Sequence, residues 1–170
     1  MNYITHSLGG VAAGFAVISA TGISDPVQQT TVVTGAVLGS LFPDIDHRKS
    51  WIGHKAPIAA EVASGLFKHR GFLHTPVFIL LIWILLSAGI PIWFGGSPQL
   101  HLAILFKQGF VPGMLSHLIL DTLNIQGIMW LWPISKKRQH ILPIRTGSLG
   151  EAAVCAVLSA VLLGQYNIFF

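Results

Sequence analysis

Residues 72–94 form an apolar run that contains no Asp, Glu, Lys or Arg. A helix over such a run can cross the roughly 30 Å hydrocarbon core of a bilayer. In lipid every backbone polar group must be paired inside the segment or in a closed barrel, so few other folds remain open to it. Trp83 and Trp93 lie along the run, and Gly89, Pro91 and Gly95 mark its end. Four more apolar segments qualify to differing degrees, at residues 4–21, 27–42, 100–123 and 149–166. The first carries Gly9, Gly10 and Gly14, small residues that permit close helix contact. The second is short and stops at Pro43, which places its end below headgroup level. The fourth is interrupted by Lys107, Gly109, Pro112 and Gly113, and its helix could start as late as Gln108. The fifth opens with Ser148 and Glu151 at capping-box spacing.

Charged residues make up 9% of the 170-residue chain, against roughly 25% in an ordinary soluble domain. With 52% hydrophobic residues, lipid must be the main solvent of this surface. The expected fold is therefore all-α, a polytopic membrane helical bundle of about five short transmembrane helices in a single domain over residues 1–170. The first six residues lack the basic start of a signal peptide, so the first apolar run is expected to be retained. Cys155 stands alone in an apolar run, which excludes an intramolecular disulfide framework and a Cys-rich metal site and leaves helix packing as its expected role.

Threading the five segments alternately through a bilayer puts the N-terminus, residues 43–71 and residues 124–147 on one side. Nine of the ten Lys and Arg residues fall there, and only Lys107 lies toward the other side, where it is expected to snorkel. By the positive-inside rule the basic side is cytoplasmic, in a multi-pass protein of the inner, or cell, membrane. A basic rim beside anionic headgroups accounts for the net charge of +4, so membrane lipids are the expected partners and nucleic acid is not. Trp130 and Trp132, with Pro133, read as part of an interfacial aromatic belt.

The same threading gathers eight ionisable residues on that face: His6, Asp44, Asp46, His47, His69, His74, His117 and Asp121. Ionisable groups at membrane depth are costly and are paired, metal-bound or set around a wet cavity. His117 and Asp121 are four residues apart, so a helix projects both from one face as two ligands of one ion. The run Pro43-Asp44-Ile45-Asp46-His47 places two carboxylates and an imidazole at a helix break, and His69 and His74 bracket a loop-to-helix transition. Imidazole with carboxylate suits a divalent ion, zinc foremost, with manganese or iron as alternatives to it and calcium less apt. Eight candidates exceed the needs of one tetrahedral ion, so one or two ions are expected. In a hydrolytic site of this kind Asp46 would serve as general base and Arg70 would orient an anionic headgroup. Each element also has a plainer reading. The His117–Asp121 pair could be an interhelical hydrogen bond, the Pro-Asp-Ile-Asp-His run a turn before a basic patch, His69 and His74 interfacial residues, and His6 a polar helix start. His54, His101 and His140 have no such company and read as loop or interfacial residues.

At Thr5-His6-Ser7, Pro43-Asp44-Ile45-Asp46-His47, His69-Arg70-Gly71-Phe72-Leu73-His74-Thr75 and Ser116-His117-Leu118-Ile119-Leu120-Asp121, followed by Thr122 and Asn124, the chain resembles a known family. It is that of the LexA-regulated, membrane-bound, predicted metal-dependent hydrolases, the YdjM-like inner-membrane proteins. The resemblance covers nearly the whole chain and implies a bacterial or archaeal polytopic membrane protein with His and Asp ligands at its helix ends. A lipid phosphoester or similar amphiphile is the substrate class that could reach such a site. A metal-ion or proton-coupled transporter, and a structural protein whose metal ties helix ends together, are the alternatives. The first would need polar residues continuing to the far side, the second a closed ligand shell.

Overall fold

The computed structural model describes residues 1–46, 55 and 71–169. Among them are five α-helices and no named strand: α1 Tyr3–Thr21, α2 Pro26–Leu41, α3 Pro76–Phe94, α4 Leu100–Thr122 and α5 Leu149–Phe169. The starts are capped as the sequence dictates. Asn2 accepts a hydrogen bond from the Thr5 amide, and Asp25 accepts one from the Gln28 amide ahead of Pro26. Thr75 accepts from the Phe78 amide ahead of Pro76. Consequently α3 begins at Pro76 and not at residue 72; Phe72–His74 forms a separate 3-10 turn before the cap.

The expected interruption of α4 does not occur, and the helix runs unbroken from Leu100 to Thr122 through Pro112. Its small residues serve packing instead. A Cβ on Gly109 would collide with the Val32 carbonyl, and one on Gly113 with the Ala36 carbonyl. Across the same contact, a Cβ on Gly35 would strike the Phe106 carbonyl and one on Gly39 the Phe110 carbonyl. Two Gly-x-x-x-Gly pairs thus face each other and let the α2 and α4 backbones approach closely, as small residues do between helices in lipid. Lys107, half-buried, donates from Nζ to Ser87 Oγ of α3 at 3.1 Å.

By length and composition α1, α3 and α4 can each cross a membrane. The 16 residues of α2 extend about 24 Å at 1.5 Å per residue, short of the roughly 30 Å core. The start of α1, the end of α2, the start of α3, the end of α4 and the start of α5 meet at one end of the bundle. There α2 runs into a 3-10 turn, Phe42–Asp46, containing Pro43. The segment at 124–147 folds back over the end of α4. The amides of Ile141 and Ile144 donate to the carbonyls of Thr122 and Leu123, which the helix leaves without internal partners. Gly127, at φ 58°, turns this segment where a Cβ would meet the Gln139 carbonyl. Trp130 Nε1 donates to Thr122 Oγ1 at 2.8 Å, and Trp132 packs on Phe72, so both indoles pack on protein here.

Candidate metal centre

His6 stands one turn into α1, set there by the Asn2 cap. Asp44 follows Pro43 in the turn after α2, and His74 closes the 3-10 turn held by the Thr75 hydroxyl, which donates to the Phe72 carbonyl. His117 and Asp121 occupy successive turns at the end of α4. The structure brings all five side chains together. His74 Nε2 lies 3.3 Å from Asp44 Oδ1 and 4.0 Å from Asp121 Oδ2. His117 Nε2 lies 3.6 Å from Asp121 Oδ2 and 3.9 Å from Asp44 Oδ1. His6 Nε2 is 3.5 Å from Asp121 Oδ1, and its ring stacks on that of His117 with centroids 3.8 Å apart.

Four of the five are fully buried; Asp44 alone keeps a partly exposed side chain, at 19%. Burial drives His74 below the ordinary imidazole range, and its bond to Asp44 only partly offsets this. Burial alone would raise the Asp44 carboxyl. The imidazoles of His117 and His74 beside it prevail and hold it below the usual carboxylate range.

The ring of His117 is oriented by backbone. Its Nδ1 lies 2.7 Å from the carbonyl oxygen of Ser40, an acceptor only, so Nδ1 donates and Nε2 faces the two carboxylates. His117 Nε2 and both ring nitrogens of His6 are buried and without a hydrogen-bond partner among the described residues, so each ring has a nitrogen that could serve as a ligand. Two groups have ligand atoms close enough to share an ion: His6, Asp44 and His117, and His74, His117 and Asp121. Both draw on His117, whose Nδ1 is already committed to Ser40, so they cannot each hold an ion at once. Three imidazoles and two carboxylates fit zinc, with manganese or iron next. The helper carbonyl on His117 is the arrangement that orients metal-bound histidines generally.

Of the remaining predicted residues, His47, His69 and Arg70 lie outside the described residues, as does the side chain of Asp46, whose backbone ends the 3-10 turn. His101 and His140 are exposed. Two participants were not expected from sequence. The amino nitrogen of Met1 donates to Asp121 Oδ1 at 2.8 Å. Glu151 also behaves differently from the expected cap: it accepts from the amides of Gly147 and Asn2, both at 2.6 Å, and from the Thr5 hydroxyl at 2.9 Å. It thereby fastens α5 to the turn of α1 that carries His6. Cys155 adds to this contact, its Sγ 3.1 Å from Thr5 Oγ1. Capping-box spacing could flag Glu151, but no sequence signal announces the carbonyl of Ser40.

A sequence model of the family described as YdjM inner membrane protein matches residues 1–168. The chain is 37% identical over 155 residues to the uncharacterized protein YvsG of Bacillus subtilis, covering 91% of this chain and 88% of that one. It is 33% identical over 129 residues to the inner membrane protein YdjM of Escherichia coli, covering 75% of this chain and 62% of that one. A YdjM of Shigella flexneri matches to the same extent. No solved structure matches the chain.

Proposed function

Because the chain belongs to the YdjM family of inner membrane proteins, we propose that its buried His and Asp cluster is the divalent-metal centre of a membrane-bound hydrolase. The ion, zinc foremost, would be held by His117 together with either His6 and Asp44 or His74 and Asp121. The observation that carries this reading is the His117 ring, tethered at Nδ1 by Ser40 and turned so that Nε2, with no hydrogen-bond partner among the described residues, lies 3.6 and 3.9 Å from two carboxylates.

When bound, the ion supplies Lewis acidity for hydrolysis of an ester or phosphoester. The chain's own groups do the rest. Asp44, the partly exposed donor, marks the side from which a substrate would approach. Asp46, two residues further on, would take the proton from water, and Arg70, four residues before His74, would pair with an anionic headgroup. A lipid phosphoester, or another amphiphile whose headgroup reaches the helix ends, is the substrate class. The positive-inside distribution supports a multi-pass protein with its N-terminus and this centre on the cytoplasmic side.

Full burial of His6, His74, His117 and Asp121 favours a second reading, in which the ion ties helix ends together and catalyses nothing. One sequence of measurements separates the two. Elemental mass spectrometry of the detergent-solubilised protein is expected to find near-stoichiometric metal, lost in a combined His74→Ala and His117→Ala variant. Hydrolysis of phospholipids in mixed micelles is then expected to stop on chelation and resume on reloading. Metal without hydrolysis would leave the structural reading, and a folded wild type that takes up no metal would end both.

A further inference from the structure

The segment at 124–147 is more than a connection between α4 and α5. It contains Lys136, Lys137, Arg138 and Arg145 and not one Asp or Glu. Its backbone is folded and fixed: Ile128 and Gln139 exchange both of their hydrogen bonds, Asn124 pairs with Ile144, and Asn124 Nδ2 donates to Thr146 Oγ1. Trp130 and Ile128 anchor it to the cluster of Leu73, Phe78, Met114 and Leu118. What it turns outward is mixed in a particular way. Ile134 is 92% exposed, Ile141 73% and Leu131 53%, and Lys136, Lys137 and Arg145 are exposed among them.

In water such a surface would leave bulky apolar groups wet for no return. At a membrane surface the same pattern is favourable, because apolar side chains enter the acyl boundary while Lys and Arg reach back to phosphates. The segment joins the ends of two apolar helices, so it lies where that boundary must be. The positive charge of the exposed Lys136, Lys137 and Arg145 selects the lipid by sign.

We infer that residues 124–147 form a preformed binding surface for anionic phospholipid beside the metal centre. The surface and the centre are joined through Thr122, which neighbours Asp121 and accepts the Trp130 hydrogen bond. The inference does not depend on the hydrolase reading and holds equally if the metal is structural.

The test uses the full chain, purified in detergent and incubated with an equimolar mixture of phosphatidylglycerol and phosphatidylcholine, with retained lipids counted by native mass spectrometry. Wild type is expected to retain phosphatidylglycerol preferentially. A Lys136→Gln, Lys137→Gln, Arg145→Gln variant is expected to lose that preference by about a hundredfold, since each basic residue at an anionic surface contributes roughly a factor of five. An Ile134→Ser, Ile141→Ser variant should weaken retention of both lipids and keep their ratio. Circular dichroism checks that each variant remains helical. Equal retention of the two lipids by wild type, or an unchanged preference in the triple variant, overturns the inference. So does a wild type without lipid preference that binds single-stranded RNA through the same three residues.

Discussion

His117 Nδ1 sits 2.7 Å from the carbonyl oxygen of Ser40, a residue of α2, although His117 belongs to α4. That carbonyl belongs to the last turn of α2, where the helix has no amide left to offer it. The contact is permitted by Gly39, next to Ser40, and Gly113, one turn before His117, which bring the two backbones together. Packing in the membrane thus sets the orientation of a side chain in the centre.

Substituting Gly39→Ala should therefore act on the centre as well as on the fold. A new Cβ would meet the Phe110 carbonyl, and overpacking of this kind costs about 1–3 kcal/mol. Loss of the Ser40 contact should lower metal affinity by about 10- to 100-fold, the range found when such supporting groups are removed. Thermal unfolding and competitive zinc titration measure the two effects. A variant that loses stability but binds zinc like wild type would show that the Ser40 carbonyl does not govern the ring.

The helices were legible in the sequence because hydropathy reports directly on burial in lipid, and the starts of α1 and α2 follow their caps and Pro26. The continuity of α4 was not legible, because Gly109, Pro112 and Gly113 read as breakers when taken alone. Paired with Gly35 and Gly39 at the same four-residue spacing, they read as a contact, and that signal was present in the chain. Within the centre, His117 and Asp121 were visible through helical periodicity. Ser40 was not, since it acts through a backbone carbonyl that any residue possesses.

Metal removal should loosen the end of the bundle where five helix termini meet. Ligand linkage predicts a loss of about 2.7 kcal/mol when free metal falls from a hundred times the dissociation constant to none. Chelation should lower the unfolding temperature of the wild type, and zinc should restore it. The His74→Ala, His117→Ala variant should respond to neither. A wild type equally indifferent to chelator and zinc would argue against an ion shared by these helices.

Glu151 receives three donors: the Asn2 amide, the Thr5 hydroxyl and the Gly147 amide. Glu151→Ala would leave them without that acceptor, at about 1–3 kcal/mol for each one that stays buried and unsatisfied. Glu151→Gln keeps one oxygen and should fall between the variant and wild type. Because Thr5 adjoins His6, zinc affinity should decline in the same order as thermal stability. Equal stability of all three proteins would mean that α5 is held by lipid contacts alone.

Alternating helix directions place the 3-10 turn after α2 and the 124–147 segment at one end, and the α3–α4 connection at the other. If the bundle crosses the membrane, Lys136 and Ser97 must lie on opposite sides. With the Lys- and Arg-rich side proposed as the cytoplasmic one, Lys136 belongs there. In a Cys155→Ser background, a Ser97→Cys variant should react with a membrane-impermeant maleimide on intact cells. A Lys136→Cys variant should react only after the membrane is opened. The reverse pattern would keep the bundle but turn it over, moving the proposed metal centre to the outer face and removing cytoplasmic amphiphiles as proposed substrates. Labelling of both positions from one side would mean that α3 and α4 do not cross as separate spans, despite lengths of 19 and 23 residues that suit them to do so.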